Sequence, residues 1–230
     1  MIIKAKIPLL LLLVFFANIA ISQKLKRETL LGLHISPIIT TNIIEKNDVE
    51  LFTDSINYQL TQKTGINYGM EIRFGIGERL SLHTGINYTQ RNFDVKINTP
   101  DTLLTDSSLK FISYEVPISL SGYVKLTGQL YLCGNLGLSF DFYPTNISIP
   151  HVYGKRYNWA QFAINGTTGM EFRTKNSGYI FLGASYHTHF SNMLYVLFYK
   201  SNQIGSADEY IPFSGNYFSV NLKYYFPQSK

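Results

Sequence analysis

The chain has 230 residues, of which 15% are charged and 15% aromatic, with a formal net charge of +5 and a single cysteine. One cysteine excludes an intramolecular disulfide framework. Lys and Arg are scattered through turns and connections instead of lining one stripe, which argues against a nucleic-acid surface.

Lys4 and Lys6 precede an apolar stretch from Ile7 to Ala20 that ends in small residues, the pattern of an export signal. Ala20 and Ser22 stand at the spacing a signal peptidase reads, which predicts a signal over 1–22, cleavage before Gln23 and one domain over 23–230. Gln23 is not Cys, so nothing points to lipoprotein acylation. The signal holds two of the 20 basic residues and none of the 15 acidic ones, leaving a mature charge of about +3.

Beyond the signal the spacing of apolar residues has period two, so strands and not helices are predicted. The first strand is predicted from Thr29 to Thr40, with Leu31, Leu33 and Ile35 opposed to Gly32, His34 and Ser36. From Gly65 to Ile76, Ile66, Tyr68, Met70, Ile72 and Phe74 share one face, opposite Asn67, Gly69, Glu71 and Arg73. Gly77 and Glu78 then read as a tight hairpin into Arg79–Tyr88, where Leu80, Leu82, Ile86 and Tyr88 oppose Ser81, His83, Gly85 and Asn87. Lys110 to Val124 alternates in the same way. A turn at Lys125–Gly128 leads to a strand ending near Asp141. Ala160–Arg173 and Tyr179–Phe190 form a third hairpin, and Asn216–Phe226 is the last strand, eight in all.

Connections alternate between short (77, 125, 175) and long (41–63, 98–109, 143–157, 191–215), the asymmetry of a membrane barrel with short periplasmic turns and long extracellular loops. The polar faces mix Gly, Ser and Asn with isolated charges and few Lys, which suits a narrow lumen better than a solvated exterior. An eight-stranded antiparallel transmembrane β-barrel is therefore expected, its apolar rows facing outer-membrane lipid. Tyr68, Tyr88, Tyr114, Trp159, Phe172, Tyr179, Tyr224 and Phe226 lie near strand ends as girdle residues would.

Tyr114-Glu115-Val116-Pro117-Ile118, followed by an apolar hairpin, resembles the PorT-like outer-membrane β-barrel family of the Bacteroidota. The hairpin at Gly77 leading into Asn87-Tyr88-Thr89-Gln90 is similar to that family's second and third strands. The resemblance implies fold and location, and a place for some relatives in secretion or gliding. It supplies no catalytic residue.

Gly69-Met70-Glu71-Ile72-Arg73 and Gly169-Met170-Glu171-Phe172-Arg173 are near-repeats, each before a short turn. Together with Arg79, Glu115, Asp141 and Lys223, residues Glu71, Arg73, Glu171 and Arg173 are expected to form a polar network across the lumen, because a buried charge is tolerable only when paired. His34, His83, His187 and His189 are expected on the same side. The His187-Thr188-His189 spacing could chelate a metal, but the sequence places no carboxylate beside it, and hydrogen-bonded interior histidines are the expectation. Ser185 with His187 raises a lipid-modifying hydrolase, an enzyme class whose reactive groups face lipid, whereas both residues here point inward. Cys133 is expected to fill a packed interior. Tyr195–Tyr199 is apolar for a loop, consistent with a strand extension or a partner contact. The expected role is a non-enzymatic outer-membrane scaffold in an envelope complex, with no cofactor and with a protein partner at its loops or turns. A narrow pore is the alternative, and an outer-membrane enzyme a more distant one.

Overall fold

The computed structural model describes residues 28–40, 49–53, 56–98, 103–149, 152–174, 176–199 and 207–227; the expected export signal lies outside them. Its strands are β1 (Thr29–Ile39), β2 (Val49–Thr53), β3 (Ile56–Gly75), β4 (Leu80–Asn98), β5 (Leu103–Thr127), β6 (Leu130–Phe142), β7 (Ile147–Ile149), β8 (Val152–Arg156), β9 (Ala160–Arg173), β10 (Tyr179–His189), β11 (Leu194–Tyr199), β12 (Ala207–Phe213) and β13 (Tyr217–Tyr225). Among the described residues no helix is long and apolar enough to cross a membrane.

Eight strands pair antiparallel in the order β1-β13-β10-β9-β6-β5-β4-β3, and β1 pairs with both β13 and β3, so the sheet returns on itself. The eight predicted strands are these eight. A ring leaves no unpaired edge, the only strand arrangement that satisfies every backbone group where water is absent. Tight turns follow β3, β5 and β9. Gly178, in the turn after β9, has a φ of +77°, which a side chain at that position would strain.

Along the half of the ring near the short turns, apolar residues point out and polar ones in. Leu33, Met70, Leu82, Ile118, Leu136, Met170, Leu182 and Leu222 are all exposed, while Glu71, His83, Ser119, Ser139 and Asn221 are buried. The relation inverts further along. On β4 the outward row runs Leu80, Leu82, Ile86, Tyr88 and then Gln90, Asn92, Asp94, Lys96; the inward row runs Ser81, His83, Thr89, Arg91 and then Phe93, Val95, Ile97. On β5 the inward row changes from Ser113 to Phe111 and Leu109, as the outward row changes from Ile112 to Lys110 and Ser108. Lys63, Asn92 and Lys110 lie in register at this boundary. On β3 a register shift between Lys63 and Ile66 exchanges the faces, so that Tyr58 and Leu60 turn inward.

Just below the boundary runs a band of aromatic rings. Tyr68, Tyr88 and Tyr114 are in cross-strand register with centroids 5.0 and 5.9 Å apart. Phe142 with Trp159 at 5.7 Å and Tyr186 with Phe218 at 4.6 Å continue it around the ring.

Beyond the boundary the connections fold. Strands β12-β11-β8-β7 form a second sheet that packs on the inward rows of β3, β4 and β5. Their shared core includes Leu60, Phe93, Leu109, Val152, Val196 and Phe213, with Phe93 edge-on to Phe213 at 5.2 Å and Phe111 stacked on Tyr143 at 5.3 Å. Of the long connections expected as loops, the described parts of 143–157 and 191–215 therefore form an apolar cap over one mouth of the ring, and those of 41–63 and 98–109 add β2 and extend β3 and β5. Tyr195–Tyr199 belongs to β11, where Val196 and Leu197 are buried. One expected turn also moves: β5 continues through Lys125 to Thr127, and Gly128 and Gln129 make the bend.

Candidate functional site

Because inward positions alternate with outward ones, every second residue of the ring contributes to one interior, and the charged ones collect at two levels. At the level near the short turns, Arg73 on β3 donates to both carboxylate oxygens of Glu171 on β9 at 3.0 and 2.9 Å. Arg173 adds its Nε to the same carboxylate at 2.5 Å. Both guanidinium groups lie over the Tyr123 ring, 4.3 and 4.4 Å from its centroid. Beside them Glu71 accepts from Lys223 Nζ at 2.7 Å and from the Tyr225 hydroxyl at 2.5 Å, and it also meets His83 Nδ1.

At the level beneath the cap, Arg91 donates to Ser113 at 2.9 Å and lies 3.5 Å from the Glu115 carboxylate. Glu115 accepts from the Tyr217 hydroxyl at 3.0 Å and from Asn67 at 3.1 Å. Asp141 lies against both His187 and His189, at 2.8 and 2.9 Å, and accepts from Ser139. Between the two levels is a polar cavity of about 60 Å³ lined by His34, Asn135, Asn165, Ser185 and Asn221 among others. A smaller one of about 20 Å³ lies by Tyr123, Cys133 and Phe181. Buried charges at these levels are paired, as low dielectric requires.

Seven of the eight residues expected in the lumen network lie on the inward rows: Glu71, Arg73, Glu115, Asp141, Glu171, Arg173 and Lys223. They form two separate groups and not a continuous ladder. Arg79 is the exception. It is exposed in the turn before β4, because the chain has left the sheet by that residue and the alternation no longer fixes its direction. Tyr179, expected in the outer girdle, instead lies on the inward row; its hydroxyl donates to Glu28 at 3.0 Å and Arg73 approaches its ring. Cys133 is buried beside Tyr123 and Phe181.

Arg91 lies outside the expected set. It is wholly buried, and continuing the β4 alternation past Tyr88 would have placed it inward. All four expected histidines are inward. Ser185 and His187 do not partner each other: Ser185 hydrogen bonds with Ser219 at 2.7 Å, and His187 engages Asp141.

One other arrangement has the connectivity of a nucleophile, base and acid: Ser81 Oγ contacts His83 Nε2 at 2.7 Å, and His83 Nδ1 meets Glu71. Ser81 is 1% exposed and its hydroxyl is also 2.7 Å from that of Tyr123, so there is no room for a substrate carbonyl at Oγ. The three residues brace the interior.

No protein-family model matches the sequence, and no curated protein matches it. Among solved structures the chain is similar to the outer membrane protein OprG from Pseudomonas aeruginosa, with a TM-score of 0.54 over 87% of this chain and 96% of that one. Identity is 9%, so the likeness concerns the fold: an antiparallel sheet of eight strands arranged as in an outer-membrane β-barrel.

Proposed function

We propose that this chain is an integral protein of the bacterial outer membrane, non-enzymatic and non-conducting, whose plugged barrel presents a folded cap at the cell surface as a docking scaffold. The exposed apolar stretch of β4 from Leu80 to Tyr88 fits the ~9–11 residues a tilted strand needs to cross hydrocarbon. The aromatic band sits where an interfacial girdle would, with the Lys63–Asn92–Lys110 level just outside it. In this reading the short turns are periplasmic, and membership of a PorT-like family and a place in an envelope or secretion complex belong to the same proposal.

The observation that carries the non-conducting reading is the pair of side-chain layers, Arg73-Glu171-Arg173-Tyr123 and Arg91-Glu115-Tyr217, which span the bore on either side of a cavity of about 60 Å³. Eight strands leave an interior just wide enough for such side chains to fill. Purified, refolded protein in planar bilayers is expected to give no conductance steps above the bare membrane. Reproducible steps that scale with protein would replace the scaffold with a pore.

A further inference from the structure

Beneath the cap, four electron-pair donors converge from two strands that are not neighbours. Asp141 is on β6 and His187 and His189 are on β10, with β9 between them. Neighbouring strands lie ~4.8 Å apart, so side chains from β6 and β10 meet only if the strand between leaves space. It does: the inward residue of β9 paired with both Ser139 and His189 is Ala163. Over that small side chain Asp141 Oδ2 comes within 2.8 Å of His187 Nε2 and 2.9 Å of His189 Nε2. The Tyr143 hydroxyl, just past the end of β6, lies 2.7 Å from the same His189 nitrogen.

Hydrogen bonding alone does not satisfy this group. One hydrogen on His189 Nε2 cannot point well at both the carboxylate and the phenol oxygen. If that nitrogen instead accepts from the phenol, its lone pair faces the carboxylate. Among the described residues His189 Nδ1 is buried without a partner, and the side chains of Asp141 and His189 are both fully enclosed. The ligand atoms of Asp141, His187 and His189 all fall within 4.8 Å of one another. Two imidazoles and one carboxylate are donors that borderline divalent ions take in four-coordinate sites, and the Tyr143 hydroxyl stands beside them.

We infer that Asp141, His187 and His189 form a binding site for a divalent transition-metal ion of the zinc class, with Tyr143 closing its fourth side. A bound ion ties β6 to β10 directly under the cap, where both strands run on into the cap's segments. It therefore fixes the cap on the ring.

The test uses the mature protein without a histidine tag, refolded in detergent, stripped with chelator, exposed to Zn2+ and dialysed. Elemental analysis is expected to find one zinc per chain, and Co2+ in its place is expected to give the strong visible bands of a four-coordinate site with nitrogen and oxygen ligands. Asp141→Asn and His187→Gln are expected to lose the ion at least tenfold in affinity, while His34→Gln, elsewhere in the interior, keeps it. Since a variant can misfold, each is compared only where its heat-modifiable gel mobility matches the parent's, and the Co2+ spectrum of the unaltered protein stands by itself. No zinc retained and no cobalt bands in the folded parent would overturn the site, as would equal affinity in Asp141→Asn and the parent.

Discussion

Arg73 on β3 and Glu171 on β9 are four strands apart around a ring of eight, the greatest separation the ring allows, yet their side chains meet at 2.9 Å. Glu115 on β5 and Tyr217 on β13 repeat that relation at the other level, at 3.0 Å. Each pair is a strut across the bore. Side chains from one strand and its immediate neighbours would leave a channel; struts from opposite walls do not.

Glu171 serves two guanidinium groups, whereas Arg73 shares its acceptor with Arg173. Removing one partner of a buried pair costs about 3–5 kcal/mol, because the charge left behind is uncompensated. Arg73→Ala is expected to fall at or below the lower end of that range, since Glu171 keeps Arg173. Glu171→Gln is expected to cost more, since two cations lose their counter-ion. Denaturant unfolding of both variants in lipid vesicles checks the order; an equal loss would mean that Arg173 adds nothing to the pairing and that Glu171 depends on Arg73 alone.

The inversion of the two faces along β4 and β5 makes the effect of a new charge depend on height. Leu136→Arg, in the middle of the exposed apolar belt, is expected to cost about 2–4 kcal/mol in vesicles, as an Arg near the bilayer midplane does. Ser108→Arg, on the outward row of β5 beyond the Lys63–Asn92–Lys110 level, is expected to cost under about 1 kcal/mol. Folding titrations of the two variants measure the difference.

Much of this was legible in the sequence. Strict alternation gave β9 its observed bounds, Ala160–Arg173, and put seven of eight network residues inside. β4 is legible only as far as Tyr88 because its outward face turns polar there, and a single-sided pattern does not distinguish a strand that ends from one whose outward face changes surroundings. The register shift at Lys63–Ile66 hid Tyr58 and Leu60, since a slip of one residue exchanges the faces. Asp141 beside His187 and His189 depends on which strands are neighbours, and on Ala163 between them, neither of which spacing along the chain reports.

The apolar core that the cap shares with the far ends of β3, β4 and β5 is distinct from the polar interior nearer the short turns, so the cap should loosen without loss of the ring. Phe93→Ala removes a 1%-exposed ring packed on Phe213, for which about 3–5 kcal/mol is typical. External protease is expected to cut the variant's β11–β12 region far faster than the parent's, with heat-modifiable mobility retained. Loss of that mobility would mean that cap and ring fold as one unit.

Cys133 faces inward at 5% exposure in a packed cluster with Tyr123 and Phe181. A buried thiol in such surroundings is inert. A maleimide is expected to leave the folded protein unlabelled over hours and to label it within minutes after unfolding in denaturant. Rapid labelling of the folded form would place the β6 interior face in contact with solvent.

In the proposed reading the outward apolar rows face hydrocarbon while their neighbours fill the interior. Spin labels at single cysteines in a Cys133→Ser background, at Leu120, Ser121 and Ser108 of β5 in lipid vesicles, probe both faces of one strand. Relaxation by oxygen and by a water-soluble nickel chelate distinguishes lipid from water. Leu120 is expected to respond to oxygen alone, Ser121 to neither, and Ser108 to nickel. Nickel access at Leu120, or a label at Leu120 as shielded as that at Ser121, would contradict it.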